Sequence, residues 1–383
     1  MPPVVAHFVY SYLFRTGSWV YGQLTHMTRF TPIVLTDWTQ NLGIFPFPRV
    51  HDYSRIGRPR KALLCLSKGR LTRPRPAYYE WVLRRRRARL IHSHFGPGGV
   101  AMLELKRRTG LPLVTAFYGE DASRLPRDPV WQRAYAELFS EGDLFLAEGS
   151  AMRRTLTNLG CRPERIVVQR LGVPLETLPF VLRRPDPSGL VRILIAATFR
   201  EKKGIPDALR AVARIRQRHP RLMVTLLGDA TDRDDELEEK ARILELLREL
   251  EGTVNWLGFK PYPIFREALL THHVYLSPNR TGRNGDSEGG APVSLIEAQA
   301  TGMPVVATTH ADIPEVVVDG KTGLLSTEHD LNALTENLER LVMTPAMWEP
   351  MGTAGRAHVE QNYNVRIQVA KLEDLYDSLL QSR

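Results

Sequence analysis

A chain of 383 residues and 43.5 kDa is too long for one hydrophobic core and suits two domains of roughly 150 to 200 residues each. With 43% hydrophobic and 25% charged residues, wholesale disorder is excluded, and no stretch reaches the ~18 consecutive apolar residues of a membrane-spanning helix. The net charge of +10 is concentrated: thirteen Lys/Arg between Arg55 and Arg89 face Glu80 alone, a local +12 that leaves the remainder at −2.

The opening MPPVVAHFVYSYLFRTGSWV has no basic segment followed by a clean apolar one, so it does not read as a secretory signal. Short β-branched runs then alternate with amphipathic stretches, which predicts parallel sheets with helical crossovers. In the first half the predicted strands are Val4–Tyr10, Pro32–Thr36, Arg89–Ser93, Leu113–Phe117, Leu144–Ala147 and Ile166–Gln169. The basic window falls between the second and third of these. It can solubilise the surface, attract an anionic bilayer or a lipid-phosphate acceptor, or bind nucleic acid. No RRM, KH or zinc-finger pattern accompanies it, and Tyr78, Tyr79 and Trp81 cluster instead of interleaving with the charges. Beside Arg84, Arg85, Arg86 and Arg87, those aromatics suit an interfacial helix. After the third strand, HSHFGPGG puts His92 and His94 on the same strand face. Cys65 and Cys161 form no CxxC pair, so a reducing cytosol is the expected compartment.

The segment Leu178–Leu190, LPFVLRRPDPSGL, reads as an interdomain linker. Beyond it the predicted strands are Arg192–Ala197, Met223–Gly228, Val254–Gly258, Val274–Ser277, Pro304–Thr308 and Gly323–Leu325. Two doubly wound sheets joined this way would bind ligands at their carboxyl strand ends, across a cleft. The acidic Asp232–Leu250 and the final Tyr363–Leu380 read as amphipathic helices without catalytic signal.

The most informative stretch is DSEGGAPVSLIEAQATGM, Asp286–Met303. A carboxylate, Glu288, precedes two glycines and a helix expected to begin near Pro292. Glycines let backbone approach a ligand, and the free amides of a first helical turn suit phosphate. Glu297, about one and a half turns in, could reach ribose hydroxyls. The plainer reading is a capped helix with two unrelated surface glutamates. A second cluster, Arg200, Lys202 and Lys203, crowds the turn ending in Gly204, where cations could neutralise a leaving diphosphate.

These pieces carry a resemblance. Lys203–Gly204, LLGDA (Leu226–Ala230), VNWLGF (Val254–Phe259), YLSPN (Tyr275–Asn279), the run Glu288–Thr308 and IPEVVVDGKTGLL (Ile313–Leu325) follow one another. The first half adds IHSHFGPGG (Ile91–Gly99), VTAFYGED (Val114–Asp121) and the run Gly142–Val173. Nearly the whole chain resembles retaining glycosyltransferases of family 4, in the subgroup that builds colanic-acid-like, capsular and lipopolysaccharide chains.

The resemblance implies a GT-B fold: two Rossmann-like, doubly wound, parallel-sheet α/β domains facing a central cleft. Residues 1–178 would form the acceptor domain, with the final helix (363–383) returning to it. Residues 179–190 would be the linker and 191–362 the nucleotide-sugar domain. It implies that Glu288 holds donor-sugar hydroxyls, Glu297 the ribose and Lys203 the diphosphate, where Arg200 could replace the family's arginine. Gly289, Gly290, Ala291, Pro292 and Val293 would offer backbone contacts, and Phe259 and Lys260 would stand beside the nucleobase. Several positions depart from the family pattern. Eight residues separate the two glutamates instead of seven, Thr198 stands where an arginine is usual, and Tyr118 where many members have a histidine. Thr16–Gly17–Ser18, near the donor phosphates by analogy, lacks the usual double glycine.

On the acceptor side His94, His92, Tyr118, Glu120 and Asp121 are the candidates. His94 could bind or deprotonate an acceptor hydroxyl or be structural, and Asp121 could instead cap a helix. The expected reaction moves a sugar from a UDP- or GDP-sugar to a lipid-linked or polysaccharide hydroxyl with retention. No cofactor or metal is expected, because no DxD pair follows a predicted strand and Asp234–Asp235 lie in a solvated helix. An epimerase, a soluble-acceptor synthase and a non-catalytic membrane or nucleic-acid binder remain alternatives. The expected location is cytoplasmic, with peripheral attachment to the inner face of the plasma membrane through the basic patch.

Overall fold

The computed structural model describes residues 2–57 and 74–382 and divides into two compact units, Met1–Gly172 with Val365–Arg383, and Val173–Asn364. Among the described residues no helix is long and apolar enough to cross a membrane.

The first unit is built on a seven-stranded sheet. Its chain supplies β1 (Val4–Phe8), β2 (Ser11–Tyr12), β3 (Thr31–Thr36), β4 (Trp38–Thr39), β5 (Val50–Asp52), β6 (Ala88–His94), β7 (Leu113–Ala116), β8 (Leu144–Ala147) and β9 (Ile166–Val168). The sheet order is β5-β3-β1-β6-β7-β8-β9, every pairing parallel, while β2 and β4 form a separate two-stranded ribbon. Parallel strands covered on both faces must be apolar on both, and β7 (LVTA) is buried throughout. One face packs Phe8, Ile33 and Ile91 against the helices Pro74–Arg85, Gly96–Thr109 and Pro129–Glu141. The other packs Val5, Leu90 and Val114 against Leu372 and Tyr376 of the final helix, Val365–Gln381. That helix is fastened to the loop before β3, where Glu373 accepts the amides of Thr28, Arg29 and Phe30.

The second unit contains β10 (Val191–Ala196), β11 (Leu222–Leu227), β12 (Val254–Gly258), β13 (Val274–Ser277), β14 (Val305–Thr308) and β15 (Gly323–Ser326) in the order β12-β11-β10-β13-β14-β15, again parallel. Each of the twelve strands expected from sequence is present with its ends no more than two residues from those expected, and β2, β4 and β5 were not expected. The sheets change direction at β1/β6 and at β10/β13. These are the topological switch points whose carboxyl ends open a crevice for ligands.

The segment expected as a linker, residues 179–190, belongs to the second unit. Its Arg183 is buried and donates to the carbonyl of Leu269 and the hydroxyl of Thr301, and the Val181 amide donates to the Thr301 carbonyl. Proline and charge marked a break in periodicity there, but a guanidinium that satisfies otherwise open helix-end groups turned the break into packed structure.

Candidate active site

At the β10/β13 switch point a basic loop meets one that carries Asp286 and Glu288. The loop after β10 ends in a tight turn, Glu201–Lys203, closed by Gly204 in the left-handed region (φ 63°). A Cβ at Gly204 would come within 1.9 Å of the Pro278 carbonyl oxygen just after β13, so only glycine allows this approach. Lys203 is thereby brought to Glu288: Nζ donates to Oε2 at 2.9 Å, while Asn279 Nδ2 donates to Oε1 at 3.1 Å. Burial alone would raise the Glu288 pKa, but the ammonium groups of Lys203 and Lys202 outweigh it and hold the carboxyl at about 2. Burial pushes the Lys203 pKa down against the pull of Glu288.

Arg200 does not stand open toward a ligand as expected. Its Nη2 lies 2.7 Å from Asp286 Oδ2, and Glu236 is 3.7 Å from its Nε. Lys202 is similarly engaged, 3.2 Å from Asp286 Oδ1 and 3.0 Å from the Ser287 carbonyl oxygen. Asp286 therefore ties two cations of the turn to the glutamate loop, and Lys203 is left to pair with Glu288. Thr198 shapes the turn through its carbonyl, which accepts the Arg200 amide at 2.8 Å.

Pro292 caps the helix Val293–Ala300. The preceding loop runs through Gly289 (φ 76°), Gly290, whose carbonyl accepts the Asp312 amide at 3.4 Å, and half-buried Ala291. Glu297 is buried in this helix and accepts the Tyr262 hydroxyl at 2.8 Å. Burial pushes its carboxyl up to about 7, against the lowering effect of that hydrogen bond. Phe259 and Lys260 follow β12 as exposed side chains. Sequence reasoning gave no role to Asn279 or Tyr262. The first was legible as a polar residue ending a buried parallel strand at a switch point. The second, at the start of the helix Tyr262–Thr271, left no mark in the sequence.

The corresponding switch point of the first unit is neutral and closed. His7 and His92 pair across β1 and β6, and His94 lies beside them, all fully buried. His94 Nδ1 meets the Tyr118 hydroxyl at 2.7 Å and its Nε2 meets His7 Nδ1 at 3.0 Å, while His92 Nδ1 pairs with the Tyr376 hydroxyl. Burial pushes His94 down to about 3 and His92 well below its ordinary value. His94, a candidate for an acceptor hydroxyl or for a structural role, is a neutral interior residue hydrogen-bonded to Tyr118. One nitrogen from each of these histidines lies within 4.8 Å of the others, the only such group of His, Cys, Asp and Glu among the described residues. Imidazole suits zinc, copper or nickel. Here, however, His7 Nδ1 and His94 Nε2 face each other, which places a shared proton between them.

Asp121 is also interior. Its carboxylate accepts the amides of Gly96, Tyr118 and Gly119, so it ties together the loops after β6 and β7 and its lone pairs are largely spent on backbone. That corrects its expected role toward acceptor hydroxyls. Glu120 opens the short helix Glu120–Ser123 and pairs with Arg124 just beyond its end. Gly17 precedes the helix Ser18–His26, where a Cβ would meet the Leu13 side chain at 2.7 Å.

Of the basic window, Arg58, Arg60, Lys61, Lys68, Arg70 and Arg73 lie outside the described residues. Arg84, Arg85, Arg86 and Arg87 are exposed at the end of the helix Pro74–Arg85; Arg84 pairs with Glu80, and the Arg85 guanidinium stands 5.8 Å from the centroid of the exposed Trp81 ring. Cys161 is a buried free thiol, pushed up to about 12 by burial.

Comparison with known proteins agrees with this arrangement. Residues 38–177 match the model described as Glycosyltransferase Family 4, and residues 191–344 match that described as Glycosyl transferases group 1. The amylovoran biosynthesis glycosyltransferase AmsK of Erwinia amylovora is 34% identical over 289 residues, 75% of this chain and 69% of AmsK. The chain belongs to glycosyltransferase family 4. WcaL of Salmonella typhimurium, provisionally named as a colanic acid biosynthesis glycosyltransferase, is 32% identical over 75% of this chain and 70% of its own length. Among solved structures, sucrose-phosphate synthase from Thermosynechococcus elongatus matches with TM-score 0.79 and 18% identity over 100% of both chains. Anabaena HepE in complex with UDP-glucose matches with TM-score 0.78 and 18% identity over 98% of this chain and 99% of its own. At those identities the likeness establishes the fold of this glycosyltransferase, which is GT-B.

Proposed function

We propose that this glycosyltransferase moves a sugar from a nucleoside diphosphate sugar, UDP- or GDP-linked, to a hydroxyl acceptor with retention at the anomeric carbon. The observation that carries the reading is the Lys203–Glu288 pair at the β10/β13 switch point, with Glu297 on the helix that begins just beyond. An incoming diphosphate competes with Glu288 for the Lys203 ammonium, since it offers that cation a charge-assisted bond of the same kind and carries more negative charge than one carboxylate. The freed Glu288 carboxylate accepts hydroxyls of the donor sugar, and Glu297 accepts those of the ribose. The amides that open the helix Val293–Ala300 and the Lys203 ammonium stabilise charge developing on the departing diphosphate. Phe259 and Lys260 line the base end. Arg200 acts at one remove, by fixing Asp286 and with it the glutamate loop.

Attack and departure occur on one face of the sugar. The leaving diphosphate takes the acceptor proton, so no protein nucleophile is needed. Transfer proceeds without a metal ion, the ammonium supplying the charge at the leaving group. The acceptor is a lipid-linked or polysaccharide glycan of cell-surface polysaccharide synthesis, a reading supported by the amylovoran and colanic-acid relatives. It meets the first unit near Tyr118, whose hydroxyl couples to His94. The exposed Arg84–Arg87 run holds the enzyme against anionic lipid, each charge contributing about 1 kcal/mol near the surface.

The test is a thermal-shift panel of UDP- and GDP-sugars, followed by turnover with and without a lipid-linked acceptor in EDTA. The reading expects a ligand-dependent rise in melting temperature and acceptor-dependent release of the nucleoside diphosphate, with the anomeric configuration kept. An inverted product or a strict need for divalent metal would overturn it.

A further inference from the structure

The glutamate loop is tied to the β10 turn through Asp286, Ser287 and Glu288. Gly289 and Gly290 have no side chains to anchor it, and support from the other side comes from the turn that follows β14. His310 in that turn is 1% exposed. Its Nε2 lies 3.1 Å from the Glu288 amide nitrogen and 3.2 Å from Ser287 Oγ, and its Nδ1 lies 2.7 Å from Glu328 Oε1. Glu328 is fixed in turn by the Thr281 amide, 2.7 Å from its other oxygen. Burial alone would raise the Glu328 pKa, but the bonds from His310 and Thr281 hold it at about 2.

These partners determine the imidazole's tautomer. A backbone amide can only donate and an ionised carboxylate can only accept. The Nδ1 proton therefore points to Glu328 and the Nε2 lone pair to Glu288. Two residues on, the Asp312 amide reaches the Gly290 carbonyl at 3.4 Å. Ala311 between them is held at φ 49°, a left-handed conformation that costs a non-glycine residue energy and persists only where its surroundings impose it. Side-chain bonds from Lys203 and Asn279 hold the Glu288 carboxylate from one direction. His310 holds its backbone from the other.

We propose that His310, oriented by Glu328, is a positioning residue for the sugar end of the donor site. By accepting the Glu288 amide it sets the backbone from which the Glu288 carboxylate is presented. The inference rests on the reading of Glu288 as a donor-sugar contact, and a parallel Glu288→Gln variant tests that reading by itself.

The experiment compares His310→Leu, His310→Gln and Glu328→Gln with wild type. Leucine removes the acceptor, whereas glutamine can offer its amide oxygen to the Glu288 N–H. The first readout needs no ligand: hydrogen exchange of the 286–292 backbone should speed up in His310→Leu and return toward wild type in His310→Gln. The second uses whichever of UDP-glucose, UDP-galactose, UDP-N-acetylglucosamine or GDP-mannose gives the largest thermal shift, together with its parent nucleoside diphosphate. His310→Leu should lower kcat/KM about 10- to 100-fold, the scale of a misplaced catalytic contact, while affinity for the nucleoside diphosphate alone changes less than about twofold, because that ligand lacks the sugar. His310→Gln should recover most of the loss, and Glu328→Gln should fall between.

Unchanged exchange in His310→Leu overturns the proposal. So does a parallel fall in diphosphate affinity that glutamine does not rescue, since that marks a general structural role. Wild-type turnover by Glu288→Gln contradicts the Glu288 reading instead. An impaired Glu288→Gln beside an unimpaired His310→Leu contradicts the His310 proposal alone.

Discussion

Both units open a parallel sheet at a switch point, yet they fill the two openings with opposite chemistry. At β10/β13 the loops bring together Lys203, Glu288, Lys202, Arg200 and Asp286, whose charges are satisfied by one another. At β1/β6 three neutral imidazoles and two tyrosine hydroxyls form hydrogen bonds below the surface. Topology supplies the crevice in each case, and the residues at the strand ends decide what it can bind. Paired charges can be exchanged for those of a diphosphate at modest cost, because each partner finds a replacement. A buried neutral chain offers no charge to exchange, which is why a hydroxyl-bearing acceptor is proposed there and not the donor.

The comparison breaks most readily at Lys203. Lys203→Ala should reduce transfer by about 1,000-fold, within the range seen on removing a preorganised group that stabilises developing charge. Circular dichroism should show a folded protein, and wild-type turnover would end the contrast between the units. The next effect is on stability in the first unit. Asp121→Asn replaces a carboxylate that accepts three backbone amides with a group having one acceptor oxygen, and should cost about 2–4 kcal/mol in chemical denaturation. Nucleoside diphosphate affinity should be untouched, since Lys203, Glu288 and Glu297, the donor contacts proposed above, lie in the other unit.

A third effect separates the units by pH. Glu297, raised to about 7 by burial, is mostly neutral at pH 6 in the free enzyme, whereas the ionised form is the stronger acceptor for the ribose hydroxyls proposed to bind it. Donor affinity should rise about tenfold from pH 6 to pH 8 and then level off, with a proton released on binding; calorimetry in two buffers checks this, and Glu297→Gln should give a weak, flat profile. In the free enzyme the raised value favours the folded state below the ordinary carboxyl pKa of 4.5, and that contribution is lost as pH rises through about 7. His94 has the reverse sign. Depressed from 6.5 to about 3, it contributes stability above pH 6.5 that is lost as pH falls toward 3. The smallest effect on turnover is expected at the surface: replacing Arg84–Arg87 with serine should weaken flotation with anionic liposomes and leave transfer to a soluble acceptor within about twofold.

Much of this was legible in the sequence, for identifiable reasons. Buried parallel strands are continuous apolar runs, so β10, β11, β13 and β14 stood out. Lys203–Gly204 and the Glu288–Glu297 stretch marked a candidate site beside the plainer reading of a capped helix with two surface glutamates, and the structure buries both glutamates. What escaped was partnership across sequence distance. Nothing local says that Arg200 turns to Asp286, that Asp121 spends its oxygens on the amides of Gly96, Tyr118 and Gly119, or that His310 accepts the Glu288 amide. The buried arginine at 183 was missed for the same reason: its proline-rich surroundings read as linker, while its partners lie more than eighty residues away.

The most direct trial of the account is a crystal structure with an intact nucleoside diphosphate sugar bound. Lys203 Nζ should have left its 2.9 Å contact with Glu288 for a diphosphate oxygen, with Glu288 on the sugar hydroxyls and Glu297 on the ribose. A diphosphate bound elsewhere, with the Lys203–Glu288 contact still closed, would contradict it.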